Sequence, residues 1–320
     1  MAADTMNRSA DEQVFLIDAS IYIFRSYFSL PENWHSPDGE FSTHAVYGFT
    51  RFLIDMIKET KPRHIFCAFD ESLTTGFRHQ LCPAYKSNRE LPDPALAFQL
   101  NACRQVCRVL GVAEMASTVY EADDLIGSMV SRSRRRGFHA VIVSRDKDLM
   151  QLIGKTESYW DFGKSTPKTS EQLAEKLMFN CSQMADYLAL VGDQSDSIFG
   201  VPGVGDKTAR QLLSFYPTID EILDNLDQLQ DLPIRGAKQL AEKFSLGEKQ
   251  LRLSKRLATI VTKPDATSSI RDIHWRGVHP DAFDIFDVEM GFNGAFNTKL
   301  ESLMRRPNTG ILGGQSDDQW

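Results

Sequence analysis

The sequence predicts an α/β domain built on a mainly parallel sheet with flanking helices, followed by a helical domain. Three observations carry that expectation. Apolar runs of strand length alternate with helical segments through residues 13–169. The strongest of these runs end at, or two residues before, an aspartate: Asp18, Asp70 and Asp146. From about residue 170 strand signals fade while helical ones continue.

Taken in order, residues 1–12 are polar and are expected as a disordered tail. Residues 14–18 form a short buried strand. Residues 43–60 carry helical periodicity, with Ala45, Phe49, Phe52, Leu53 and Met56 on one side. Residues 64–70 are a second apolar strand. Residues 78–92 are polar, mixed and basic, an excursion from the core. A helix over 94–110 follows, then a short strand over 112–115. A helix over 121–136 is stopped by Gly137. Residues 138–144 are a strong third strand, and 158–162 a weaker one. The helical half reads as 170–178, 182–191, 207–215, 219–223, 236–244 and 246–261. Residues 262–304 resist assignment, and 305–320 are a polar, Gly-rich tail expected to be disordered.

Composition narrows the function classes. The chain has 320 residues, 42% hydrophobic and 25% charged, an ordinary globular balance. No run approaches the roughly 20 apolar residues of a membrane helix, and the first twelve residues lack a signal-peptide core. A cytoplasmic protein without a membrane partner is expected. The five cysteines lack zinc-like spacing with histidines and read as reduced, buried or idle thiols. The net charge of −7 argues only weakly against nucleic acid, because an acidic cluster that binds cations is itself largely offset by them.

Nine carboxylates fall at strand ends and helix starts: Asp18, Asp70, Glu121, Asp123, Asp124, Asp146, Asp148, Asp193 and Asp196. Singly, each has a plain structural explanation as a helix cap or a dipole partner. Together at one sheet edge they would repel strongly unless cations sat between them. Oxygen-only ligands suit Mg²⁺, with Mn²⁺ as a substitute, and carboxylate-bound Mg²⁺ is a common device for phosphoryl displacement.

Two further segments bear on phosphate. Gly200-Val-Pro-Gly-Val-Gly-Asp-Lys-Thr208 joins two helical segments through a glycine-rich turn, with Lys207 at the start of the second. Glycines allow close backbone approach, and helix N-terminal amides donate to phosphate. The other reading is an ordinary helix–helix turn. The spacing is not that of a nucleotide-binding P-loop. In the basic excursion, Arg78, His79, Lys86 and Arg89 are interleaved with Phe77 and Tyr85, a mixture that suits a single strand. The run Arg132, Arg134, Arg135, Arg136 closes a helix and reads as a solvated face.

In this order, Phe15-Leu-Ile-Asp-Ala-Ser20, Ala45-Val-Tyr-Gly-Phe49, Ala68-Phe-Asp70, Phe77-Arg-His with Ala84-Tyr-Lys-Ser-Asn-Arg89, Glu121-Ala-Asp-Asp124, Ser144-Arg-Asp-Lys-Asp-Leu149 and the segment from Gly192 to Ala209 resemble the 5′-nuclease family. That family comprises the 5′→3′ exonuclease domain of bacterial DNA polymerase I and the bacterial and phage flap endonucleases. The resemblance spans roughly residues 13–262. It implies a PIN-like nuclease domain over 13–169, with a helical arch at about 75–95. A helical DNA-binding domain over 170–304 would carry a helix-hairpin-helix-type motif.

The resemblance also implies site residues. Asp18, Asp70, Glu121, Asp123 and Asp124 match a first metal cluster, and Asp146, Asp148, Asp193 and Asp196 a second. Lys86 and Arg89 match catalytic arch cations, Tyr85 a stacking position, and Arg25 a basic residue near the site. Gly203, Gly205, Lys207 and Thr208 fall in the DNA-gripping hairpin, where K⁺ also binds in the family. Ser197 stands where the family usually has Asn, Phe199 where it often has Pro, Cys82 for a common Tyr and His44 for a common Asn. No polymerase segment follows within the chain, so a free-standing enzyme is expected.

The implied activity is Mg²⁺-dependent two-metal hydrolysis of DNA at 5′ ends, nicks, flaps and junctions by a monomer. It would leave 5′-phosphate and 3′-hydroxyl ends, in primer removal during replication or in repair. RNA–DNA hybrids are compatible substrates. The rival readings are a non-catalytic junction binder, which the nine retained carboxylates disfavour, and a PIN-type ribonuclease, which needs neither arch nor hairpin.

Overall fold

The computed structural model describes residues 12–72, 74–234, 236–262 and 268–304. The tails expected at 1–12 and 305–320 therefore lie, Glu12 apart, outside the described residues.

The α/β expectation holds. The elements run β1 Gln13–Asp18, α1 Ala19–Ser29, α2 His44–Thr60, β2 His64–Asp70, α3 Phe77–Leu81, α4 Pro94–Val109, β3 Ala113–Ser117, α5 Ala122–Arg135, β4 His139–Val143 and β5 Glu157–Trp160. The helices α6 Ser170–Leu177, α7 Met184–Val191, α8 Asp206–Phe215, α9 Ile219–Asp224, α10 Ala237–Ala258, α11 Pro280–Glu289 and α12 Asn297–Met304 follow. The five strands are all parallel, in the order β3-β2-β1-β4-β5. The chain lays β2 and β3 on one side of β1, then crosses to place β4 and β5 on the other. The carboxyl ends of β1 and β4 thus meet where the winding reverses, the usual place for a ligand crevice.

The central strand explains the layers. Successive side chains of β1 point to opposite faces. Phe15 and Ile17 enter a core shared with α1, α2 and α4. Val14 and Leu16 enter a second core against α5. All four are almost fully buried, as expected for a strand covered on both sides. Register is fixed by that covering: Ile17 pairs with Val143 and Asp18 with Ala68, so β1 and β4 end within one residue of each other and β2 runs two residues further, to Asp70. A third core holds α7, α8 and α10 together.

Four features depart from the sequence expectation or fill its gaps. Helix α1 had no periodic signal, because its aromatic and β-branched residues are mixed around the helix. The two helices expected on either side of residue 245 are one, α10. Gly247 within it costs about 1 kcal/mol against alanine, but buried Leu240, Phe244, Leu251 and Leu257 hold the helix through it. The segment 78–92 is not wholly an excursion: Arg78 and Tyr85 are buried, Tyr85 in the core of the helical domain. Finally, Ile260, Ile270 and Ile273 pack in the α5 core, and α11 and α12 pack beside α2 and α4. The chain after α10 therefore returns to the α/β domain. No helix among the described residues is long and apolar enough to cross a membrane.

Candidate metal centre and nucleic-acid interface

Neighbouring parallel strands that end at one edge of the sheet bring the first carboxylates together. Asp18 closes β1 and Asp70 closes β2. Ser144 follows β4, and its hydroxyl donates to Asp18 Oδ2 at 2.8 Å while accepting from the Asp146 amide at 2.9 Å. Asp146 then caps a 3₁₀ turn over Lys147–Leu152 by accepting from the Asp148 amide. Asp70 accepts from the Ala122 amide at the start of α5, which brings Asp123 to the same edge.

The electrostatics show crowding. Burial, then Asp70, pushes Asp18 up to about 7, against the pull of Ser144. Burial, then Asp146, pushes Asp148 up to about 8, and its Oδ1 is buried without a hydrogen-bond partner. Asp123 is raised well above the usual range by burial, Asp146, Asp18 and Asp70. Asp146 and Asp70 are also raised, chiefly by the desolvation their walls impose. Negative charge here is under-compensated by the protein alone.

The second group comes from the loop after α7. Asp193 accepts from Ser195 and from Lys147 Nζ, at 2.6 and 2.9 Å. Despite its burial these bonds hold it below the usual carboxylate range. Asp196 accepts from Arg89 at 2.6 Å and lies 3.7 Å from Lys86 Nζ. Lys86 Nζ also reaches Glu121 at 2.9 Å, and its amide donates to the Asp196 carbonyl. Lys86 therefore bridges the two groups; burial opposes its charge, but Glu121, Asp196 and Asp70 outweigh it and hold the ammonium above the usual lysine value.

Two expected site residues are engaged within the protein. Asp124 is turned to Arg78. Its oxygens accept from Arg78 Nη1 and Nη2 at 2.7 and 2.9 Å and from the amides of Glu121 and Val261. Tyr85 does not offer a stacking face. It is 2% exposed, and its hydroxyl lies 3.1 Å from Glu121 and 3.3 Å from Asp196, as a donor. Arg25 is exposed on α1, near the buried Tyr22.

The donor set fits hard divalent ions: oxygen ligands only, one of them buried and unpartnered, and carboxylates that raise one another. It is not a closed cage, for among the described residues no three such groups converge tightly enough to hold an ion by themselves.

The hairpin lies between α7 and α8. Gly192 and Gly200 pack backbone on backbone; a Cβ on Gly200 would come within 2.4 Å of the Val191 carbonyl carbon. Gly203 has φ +80° and carries the Lys243 ammonium close against it. Gly205 caps α8 facing open space, Lys207 is exposed and Thr208 is half-buried. Ser197 has φ +56°, a left-handed conformation that Asn tolerates better, which explains the residue usual there.

Sequence reasoning missed Lys147, Ser144 and Lys243. The first two lie within the segment Ser144-Arg-Asp-Lys-Asp-Leu149, where alternation of acid with Lys or Ser was the available signal. Lys243 has none, since only the packing of α10 brings it to the hairpin.

Comparison with known proteins now bears on this geometry. Residues 13–178 match the family described as 5′-3′ exonuclease, N-terminal resolvase-like domain, and residues 179–281 the 5′-3′ exonuclease, C-terminal SAM fold. DNA polymerase I of Bacillus caldotenax is 35% identical over 296 residues, 91% of this chain and 32% of that protein. DNA polymerase I of Bacillus subtilis is 33% identical over the same length. The chain thus spans about a third of the length of these relatives. Among solved structures, T5 5′-exonuclease with bound divalent metal ions (zinc) aligns at TM-score 0.62 and 20% identity, over 86% of this chain and 96% of that one. The catalytic core of Rad2 in complex with DNA substrate aligns at TM-score 0.62 and 12% identity, over 92% and 94%. At these identities the two structures show a shared fold.

Proposed function

Since this chain belongs to the 5′-3′ exonuclease family in both of its domains, we propose that it hydrolyses DNA phosphodiesters at 5′ ends, nicks, flaps and junctions with Mg²⁺ or Mn²⁺. The observation that carries this is the crowded carboxylate group at the carboxyl ends of β1, β2 and β4, faced by Lys86 and Arg89.

The residues proposed to hold metal are Asp18, Asp70, Glu121, Asp123, Asp146 and Asp148, with Asp193 and Asp196 completing a second position. Asp124 supports them through Arg78. Two divalent ions there would activate water and offset charge on the scissile phosphate. Ser144 orients Asp18, and Lys147 steadies Asp193. Tyr85 holds Glu121 and Asp196 in place. Lys86 and Arg89, whose partners are those same carboxylates, would turn to a phosphate that entered between the groups.

The hairpin with Gly203, Gly205, Lys207 and Thr208 would grip the duplex by its backbone, without reading bases. A K⁺ ion there belongs to the same reading. Arg25, exposed on the other flank, would meet the backbone of a bound strand. The substrate is DNA, with RNA–DNA hybrids accepted, the active form a monomer, and the setting the cytoplasm during primer removal or repair. An end-labelled 5′-flap duplex incubated with Mg²⁺ tests this. Short labelled products are expected, and none in excess chelator.

A further inference from the structure

A cavity of about 550 Å³ lies outside the carboxylate site, at the foot of the segment that carries Lys86 and Arg89. Phe77 and Tyr120 form one wall, with ring centroids 5.9 Å apart. Arg252, Lys255 and Arg256 near the end of α10 form the other. Three cations line it against one carboxylate, Asp220. That carboxylate is shared by Arg252 and Lys255, which pair in addition with Glu248 and with the buried Asp186. Arg256 is exposed, with no ion pair among the described residues.

The cavity is joined to the carboxylate site through one side chain. Arg78 stacks 4.6 Å over the Phe77 ring. The same guanidinium donates to Asp124 and to the Leu257 and Thr259 carbonyls at the end of α10. Tyr120 directly precedes Glu121. The cavity is therefore the next room beyond the Arg78 wall. Its volume is in the range of small-ligand sites, and an aromatic wall beside the exposed Arg256 guanidinium suits a base and its phosphate.

We infer that this cavity is a subsite for one nucleotide of a single-stranded 5′ tail, with its phosphate on Arg256 and its base against Phe77 and Tyr120. The inference rests on the proposed nuclease reading. The same chemistry would also suit a released mononucleotide, so the test separates the two.

The experiment measures binding of the full chain, in chelator, to labelled duplexes bearing 5′ tails of zero to ten thymidines. Wild type is expected to bind tailed duplex about 5-fold more tightly than untailed, the low end for one stacked base. Arg256→Ala and Phe77→Leu should remove that gain and leave untailed binding unchanged; Arg256→Lys should restore part of it. Arg256 is exposed, so its variants should fold. Retention of the gain in both Arg256→Ala and Phe77→Leu would overturn the subsite, as would a wild type indifferent to tail length. A wild type with no gain from the tail that nevertheless binds thymidine monophosphate, and loses that binding in Arg256→Ala, would assign the cavity to released product instead. Cleavage of untailed, nicked duplex with Mg²⁺ by the same wild-type protein reports separately on the nuclease reading.

Discussion

Arg78 and Asp124 form a buried bidentate pair, 46 residues apart in sequence, with N–O distances of 2.7 and 2.9 Å and side chains 3% and 1% exposed. Arg78 also donates to the Leu257 and Thr259 carbonyls. One guanidinium thus ties the α3 segment, α5 and α10 together behind the carboxylate group. Asp124→Asn should lower unfolding free energy by about 3–5 kcal/mol, because it strands a buried cation. Urea melts check this. The variant should keep divalent-ion affinity once folded. A loss of ion affinity with unchanged stability would return Asp124 to the ligand set.

Charge crowding predicts a pH effect on the metal-free protein. Asp18 is raised to about 7 and Asp148 to about 8 in the folded chain, against about 3.9 for an unfolded aspartate. Between those limits the folded state binds more protons, so stability falls as pH rises. In chelator, the melting temperature should drop from about pH 4 upward until the pH passes about 8, and Mg²⁺ should reverse the drop at its upper end. A melting temperature independent of pH and Mg²⁺ over pH 6–8 would mean that the group is not crowded.

Lys86 and Arg89 should matter more to chemistry than to duplex binding. Arg89→Ala should slow single-turnover cleavage by about 3–4 kcal/mol in barrier, the scale of a lost transition-state donor. Lys86→Ala should do the same and also destabilise the fold, since Glu121 and Asp196 lose their bridging cation. Near-normal rates in both variants would remove them from the reaction.

The carboxylates were legible in the sequence because the end of a parallel strand is a local property. Apolar runs closing on Asp18 and Asp70 fixed both the residue and its edge of the sheet. What occupies each carboxylate was not legible. Asp124 and Asp123 are neighbours on α5, yet one meets Arg78 and the other faces Asp146 and Asp18. Nothing local to the chain distinguishes them. The same holds for Tyr85, whose neighbours suggest an open basic strand while its ring packs in the helical core. Helix α10 shows the converse: a local helix-weakening signal at Gly247 was overridden by packing contacts distant in sequence.

At the hairpin, Lys207→Ala should weaken DNA binding about equally across sequences and reduce the salt slope by about one. Lys243→Ala should act in the same direction, because its ammonium lies against Gly203. Salt titrations by fluorescence anisotropy measure both. Unchanged slopes would leave the hairpin an ordinary helix–helix turn.

The central claim is that carboxylates from the two domains act together as one hydrolytic site, and single-turnover cleavage of an end-labelled 5′-flap duplex in Mg²⁺ tests it most directly. Wild type should release short 5′-labelled products, and none in excess chelator. The Asp193→Asn, Asp196→Asn double variant, shown folded by circular dichroism, should cut at least about 100-fold more slowly, the scale of losing one transition-state contact. It should bind DNA as well or better, because two negative charges facing the phosphates are gone. A folded double variant cutting at the wild-type rate, or a wild type equally active in chelator, would contradict the account.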